Sequence, residues 1–234
     1  MLQYFKSDIE LGGQKKPNIP LRVILVLVFI YFVYSKFIFF DNTVLHNVDM
    51  KPFSEPIQQV LTPEDPTVFK MDDNGSKSFV TPLAKYKIYG RLYTKHYVPA
   101  KMSLGAIIPY DMGIGWAKMA DKSLFNKIKM KYALFDRVVY WRFDSDCPLD
   151  YYEINSSFSN NHIIPANKRV RKGLDKLQKK DVVYLEGYLV KVSIHRRDGR
   201  HEVSQSSLTR TDEGLGACEM IYVTRVVSRH GDYK

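Results

Sequence analysis

Three residues have the types that nucleophilic catalysis requires: His162, Cys218 and Arg225. A thiol becomes a strong nucleophile when a base or a positive field favours the thiolate. A histidine can exchange the proton, and an arginine can face the negative oxygen that forms on an attacked carbonyl. His162 lies in "SNNHIIPAN", between a polar loop and a basic segment. Cys218 ends the glycine-rich stretch "SSLTRTDEGLGAC" and opens an apolar run that carries Arg225. Two further readings of Cys218 stand beside the nucleophile. Cys147 is the second of two cysteines, and outside the cytoplasm such a pair forms a disulfide that contributes ~2–4 kcal/mol. Cys218 can also be a small buried thiol. A permanent Cys147–Cys218 bridge and a Cys218 nucleophile exclude one another. The histidine has its own structural reading, as a hydrogen-bonded residue beside Ile163 and Ile164.

Other chemistries lack their signatures. The six histidines are scattered, the cysteines make no Cys-x-x-Cys, and no Gly-x-Gly-x-x-Gly precedes a helical pattern, so neither a metal nor a cofactor is expected. Gly113-Ile-Gly115-Trp116 and Gly214-Leu-Gly216 read as turns.

The elements that would hold these residues follow a strong N-terminal signal. Leu21 to Phe40, "LRVILVLVFIYFVYSKFIFF", is apolar apart from Arg22, Ser35 and Lys36. Twenty helical residues at ~1.5 Å each span the hydrocarbon layer of a bilayer, so a transmembrane helix is expected over 21–40. Lys6, Lys15, Lys16 and Arg22 precede it or open it, and only Lys51 lies in the twenty residues after Phe40. The positive-inside rule then places the N-terminus in the cytoplasm and the main domain outside, periplasmic in a bacterium. The expected organisation is a cytoplasmic tail over 1–20, a membrane helix over 21–40, a Pro-rich stalk over 41–84 and an exported β-rich domain over 85–234.

Charge sharpens the partner class. The chain carries 35 Lys and Arg against 25 Asp and Glu, and only five of the former and two of the latter lie in the first forty residues. A basic exported domain favours anionic partners: an acidic protein face, a glycopolymer or a lipid surface. Lys168, Arg169, Arg171, Lys172 and Lys176 line the outer face of a helix expected over Asn167–Lys179, whose inner face is Val170, Leu174 and Leu177. Arg196, Arg197 and Arg200 sit at the tip of a hairpin running Asp181–Ile194 and back over Arg200–Ser207. Together these cations form the expected docking face. Nucleic acid is not the expected partner, because the topology puts the domain in the wrong compartment.

Elsewhere, strands are expected over Tyr86–Val98, Ser103–Tyr110, Asp136–Asp144 and Glu219–Ser228, with an edge strand near Ser78–Thr81 and a one-faced helix over Ser123–Leu134. The class is α+β: an N-terminal transmembrane helix, then a small antiparallel β-barrel-like, OB-like exported domain with one or two helices.

The order of membrane anchor, exported barrel, loop histidine, late cysteine and following arginine resembles the sortases, as does the loop-to-strand entry "LDKLQKKDVVYL". That resemblance implies a cysteine transpeptidase or hydrolase with Cys218 as nucleophile, His162 as base and Arg225 as oxyanion partner. Sortases carry Thr-Leu-x-Thr-Cys where this chain reads Leu215-Gly-Ala-Cys218. A second resemblance spans roughly Gly105 to Val223. "GIGWAKMAD", "HIIPAN", "DVVYLEGYLV" and "SSLTRTDEGLGACE" are similar, in that order, to a set of uncharacterised bacterial single-pass envelope proteins, which implies location and domain integrity but no activity. The first functional expectation is therefore an inner-membrane accessory or assembly protein whose exported basic domain binds a partner in an envelope complex. The second is the sortase-like enzyme, and the third an OB-like nucleic-acid-binding module.

Overall fold

The computed structural model describes residues 20–45, 47–62, 69–73, 76–102, 104, 106–209 and 218–234, with side chains omitted for 33–44 and 70–73. The expected tail over 1–20 therefore lies, but for Pro20, outside the described residues, as does the glycine loop before Cys218. The chain divides into two units, Met1–Phe39 and Phe40–Lys234.

Helix α1 runs Leu21–Leu45, and from Leu21 to Phe32 its apolar side chains are exposed on every face. Part of the expected span over 21–40 thus lies outside the described side chains. Among the described residues, no helix is long and apolar enough to cross a membrane.

The second unit is mostly sheet. Its strands are β1 (Ile57–Val60), β2 (Phe69–Asp73), β3 (Ser76–Tyr97), β4 (Tyr110–Gly115), β5 (Ile128–Ala133), β6 (Val138–Phe143), β7 (Phe158–Pro165), β8 (Val182–His195), β9 (His201–Gln205), β10 (Glu219–Ser228) and β11 (Gly231–Tyr233). Helix α2 (Tyr151–Asn155) precedes β7, and α3 (Lys168–Lys176) links β7 to β8. The α+β class is as expected.

Five strands close a ring in the order β3-β4-β7-β10-β8, with β8 returning to β3. Every pairing in it is antiparallel except β7 with β10. A parallel neighbour cannot be reached through a tight turn, and the chain makes the crossover through α3 and β8. Around the ring, β1 and β2 pair with β3, β9 with β8 and β11 with β10. The sheet thus starts well before residue 85, and the Pro-rich segment expected as a stalk supplies β1, β2 and the start of β3, from Ser76 to Ala84. Pro82 is accommodated in β3 because the register shifts between Pro82 and Ala84, where no ladder N–H is required.

Alternation sorts the side chains. Tyr86, Ile88, Leu92, Met112, Ile114, Ile163, Leu185, Leu189, Ile221 and Val223 form one buried cluster, into which α3 sets Val170, Leu174 and Leu177. Asn167 caps α3, accepting from the backbone N–H of Arg169 and Val170 at 2.9 Å each. Lys95 serves the other end, donating to the carbonyls of Leu174, Asp175 and Leu177 at 2.8, 2.7 and 3.0 Å.

Between β4 and β7 the chain makes a long excursion that packs on Tyr93 through Met119, Leu124, Ile128, Leu149 and Ile154. The helix expected over Ser123–Leu134 is here a 3-10 turn, Lys122–Asn126, followed by strand β5. Ile128, Met130 and Tyr132 alternate with lysines, so period two outweighed the few positions that also fit a helix. The excursion ends in α2, closed by reciprocal bonds between Asp150 and Glu153. Cys147 packs against this cluster, both cysteines are free thiols, and the expected Cys147–Cys218 bridge is corrected.

Glycines set the ring's tightness. A Cβ on Gly187 would sit 2.0 Å from the backbone oxygen of Tyr222, where β8 crosses β10. Gly187→Ala is expected to destabilise the second unit by about 3 kcal/mol, because neither backbone can yield without breaking the ladder. Urea unfolding measures it; a midpoint equal to wild type would show that the strands separate freely.

Candidate active site

The parallel ladder pairs Glu219 with Asn161 and Met220 with His162. Cys218, one residue before the ladder, therefore lies beside Asn160 and on the same face as His162. That face is the outer one, since Ile163 and Ile221 point into the core. His162, the loop histidine of the sortase-like layout, lies within strand β7, which runs through Pro165 and fixes its direction.

The antiparallel neighbour supplies the third member. Asp111 on β4 pairs with His162 on β7, and Asp111 Oδ1 lies 2.7 Å from His162 Nδ1. Cys218, set on the same face by the ladder, lies close enough to favour charge on the imidazole. Asp111 is 0 % exposed and His162 15 %. Cys218, His162 and Asp111 thus lie in sequence across neighbouring strands, from a partly exposed thiol to a buried carboxylate in contact with the imidazole.

A buried carboxylate must be paired and fully hydrogen-bonded, and Asp111 is. Arg137 grips it with Nη2 on Oδ1 at 2.6 Å and Nε on Oδ2 at 3.0 Å, and Tyr132 donates its hydroxyl to Oδ2. Arg137 adopts a left-handed φ of 55° in the turn between β5 and β6, and its Nη2 also donates to the Ile108 carbonyl at 3.1 Å. Asn160 Nδ2 donates to the Arg137 carbonyl at 2.8 Å. The β5–β6 hairpin is therefore held onto the outer face at both ends of one residue. His96, the β3 partner of Asp111, stacks on Tyr132 with ring centroids 3.9 Å apart.

The protonation states follow from these contacts. Burial opposes charge on His162, but the hydrogen bonds and charges of Asp111 and Cys218 outweigh it and raise the imidazole to about 9. Burial alone would raise Asp111; the hydrogen bonds from His162 and Arg137 overcome it and hold the carboxyl below its usual range. Burial and the bond to Asp111 push Tyr132 upward. Burial and Lys179 lower His96 against the pull of Asp111.

The base of β10 is braced as well. Ser206 Oγ accepts from Met220 N–H at 3.0 Å, and the Cys218 carbonyl accepts from Ser207 N–H at 3.3 Å. "SSLTRTDEGLGACE" is thus tied at both described ends to the strand that presents the thiol.

Arg225 is not part of this constellation. It lies seven residues along β10 from Cys218, roughly 23 Å of strand. There it forks onto Asp232 at 3.0 and 2.8 Å, with Glu186 at 3.7 Å and the Tyr184 ring nearby. The expected oxyanion role of Arg225 is corrected on that ground. Asp111, Arg137, Tyr132 and Asn160 were missed by sequence reading. One signal was present: Asp111 is the single charge in the otherwise apolar run "IIPYDMGIGW", and an ionisable group in a buried strand demands partners.

The expected docking face is mixed. Lys168, Arg169, Arg171, Lys172 and Lys176 are exposed along α3, with Lys176 also donating to the Tyr233 hydroxyl at 2.8 Å. At the hairpin tip Arg196 is bound to Glu202 at 2.9 Å and Arg200 to Asp198 at 2.7 Å, while Arg197 is exposed. Among the described residues, no group of His, Cys, Asp and Glu is placed to hold a metal ion.

A folded-state pKa above the unfolded value of 6.5 means that the His162 contacts stabilise fully below pH 6.5 and lose that contribution as pH rises through about 9. NMR titration of the imidazole is expected to give a midpoint near 9, falling in Asp111→Asn. A wild-type midpoint below 6.5 would contradict the paired geometry. Comparison with protein-family models, with curated proteins and with solved structures finds no match for the chain.

Proposed function

We propose that the chain is a membrane-anchored cysteine acyltransferase or hydrolase, of the transpeptidase kind that its sortase-like layout suggests. The observation that supports it is that Asp111 on β4 contacts His162 on β7, and the parallel ladder sets the partly exposed thiol of Cys218, just before β10, on the same face. In this reading Cys218 Sγ attacks an acyl carbonyl, and its proton resides on His162. The imidazolium, oriented by Asp111, then protonates the departing amine or alcohol, leaving a thioester on Cys218. Water or an amine, deprotonated by the same imidazole, attacks the thioester and restores the thiol.

The scaffold supports the reading. A five-stranded ring of order β3-β4-β7-β10-β8, with helix α3 between β7 and β8, its third and fourth strands in chain order, fits an OB-type barrel. Barrels of that type present ligands on the outer face of their second and third strands, here β4 and β7, which carry Asp111 and His162. The apolar run of the sequence over 21–40 favours a single-pass anchor, and the basic residues before it favour a cytoplasmic N-terminus with the second unit outside. The exposed cations of α3 favour a second, binding role for the same domain: docking on an acidic partner or an anionic glycopolymer or lipid surface of the envelope.

Full-length protein in detergent micelles, treated with p-nitrophenyl acetate, is expected to release p-nitrophenolate in a burst and to carry acetate on Cys218. Cys218→Ala abolishes the burst, His162→Ala slows it by roughly 10²–10⁴-fold and Cys147→Ala leaves it unchanged. A burst that survives Cys218→Ala would refute the enzyme. Partition of the full chain into buffer without detergent would refute the anchor.

A further inference from the structure

Acyl transfer to a thiol needs a donor where the carbonyl oxygen becomes negative, and neither arginine near the ladder can serve. Arg137 has its fork on Asp111, and Arg225 has its fork on Asp232. Asn160 stands closer. Its Nδ2 donates to Cys218 Sγ at 3.4 Å, and the parallel pairing of β7 with β10 fixes the two residues side by side.

The amide's orientation is settled by its other contact. Nδ2 also donates to the Arg137 carbonyl at 2.8 Å, and turning the group over would press Oδ1 against that carbonyl oxygen. Oδ1 is then left buried with no hydrogen-bond partner among the described residues, on a side chain only 8 % exposed. An unsatisfied buried acceptor costs about 1–3 kcal/mol, which a small apolar residue would avoid. One Nδ2 hydrogen holds the hairpin through the Arg137 carbonyl; the other is aimed at the sulfur.

We infer that the Asn160 Nδ2–H group is the oxyanion donor for acyl transfer at Cys218. The inference rests on Cys218 being the acyl acceptor. As the Sγ–C bond forms, the carbonyl π pair moves onto oxygen, two bonds from the sulfur, and the Nδ2–H that faced Sγ turns to that oxygen. When the carbonyl reforms, the leaving group departs with the proton held on His162. A donor already held beside the sulfur by the Arg137 carbonyl needs only a small shift for this step, and the hairpin that buries Asp111 holds it in place.

Two reagents separate this role from mere positioning of the thiol. p-Nitrophenyl acetate reacts through a tetrahedral oxyanion; iodoacetamide reacts by displacement at saturated carbon and forms none. In full-length protein, Asn160→Ala and the similarly sized Asn160→Leu are expected to slow acetylation of Cys218 by roughly 10²–10³-fold while iodoacetamide alkylation changes by less than about 3-fold. Thermal melts select the variant that folds. Equal loss with both reagents, or acetylation at the wild-type rate, would overturn the donor role and leave the enzyme reading standing. A wild-type Cys218 that alkylates but never acetylates would remove the enzyme reading and the donor with it.

Discussion

The second unit is organised around one buried negative charge. Asp111 sits in the middle of an apolar strand with no solvent exposure, a position in which an unpaired carboxylate would cost several kcal/mol. Arg137, Tyr132 and His162 together satisfy both oxygens. Tyr132 and Arg137 come from the β5–β6 hairpin and His162 from β7, so pairing this charge is also what fastens the excursion between β4 and β7 onto the ring. The same contacts fix the direction of the His162 ring and favour its charged form. The orientation of His162 and tertiary closure thus share their hydrogen bonds.

The ring's registers do the rest. Asp111 with His162, and Met220 with His162, are cross-strand neighbours on β4, β7 and β10. Slipping either ladder by one residue would turn a partner into the core and Ile163 or Ile221 out of it, at the cost of their burial. The apolar pattern inside the ring is therefore what sets the polar pattern outside it. Gly187 and the bulge between Val223 and Arg225 let the strands coil tightly enough to close. That bulge lies beyond the site, so the coil is gained without disturbing the register at His162.

Much of this was legible before the fold. The basic helix over Asn167–Lys179, the hairpin of β8 and β9 and the last long strand follow from periodicity, and an α+β, barrel-like class follows from their order. Cys218 and His162 were identified from residue type and local context. Other features were hidden for definite reasons. "GIGW" looks like a turn, yet Gly113 and Gly115 lie within β4, where a Cβ would strike Phe158 or Met119. Ser103–Tyr110 looks like a strand, yet Ile107 and Ile108 are buried before β4 begins. Arg225 matches an expected chain order, but chain order does not encode which end of a strand a residue occupies relative to its neighbours. Asp111, Arg137 and Asn160 are joined only by pairings distant in sequence, which no local pattern announces.

The claim at the centre is that Asp111, His162 and Cys218 act as one unit. The most direct measurement is the iodoacetamide alkylation rate of Cys218 against that of Cys147 across neutral pH, in wild type and in Asp111→Asn. The account predicts a Cys218 that reacts faster than Cys147 in wild type and loses that advantage when the carboxylate is neutralised. Cys218 reacting no faster than Cys147, or retaining its full rate in Asp111→Asn, would contradict it.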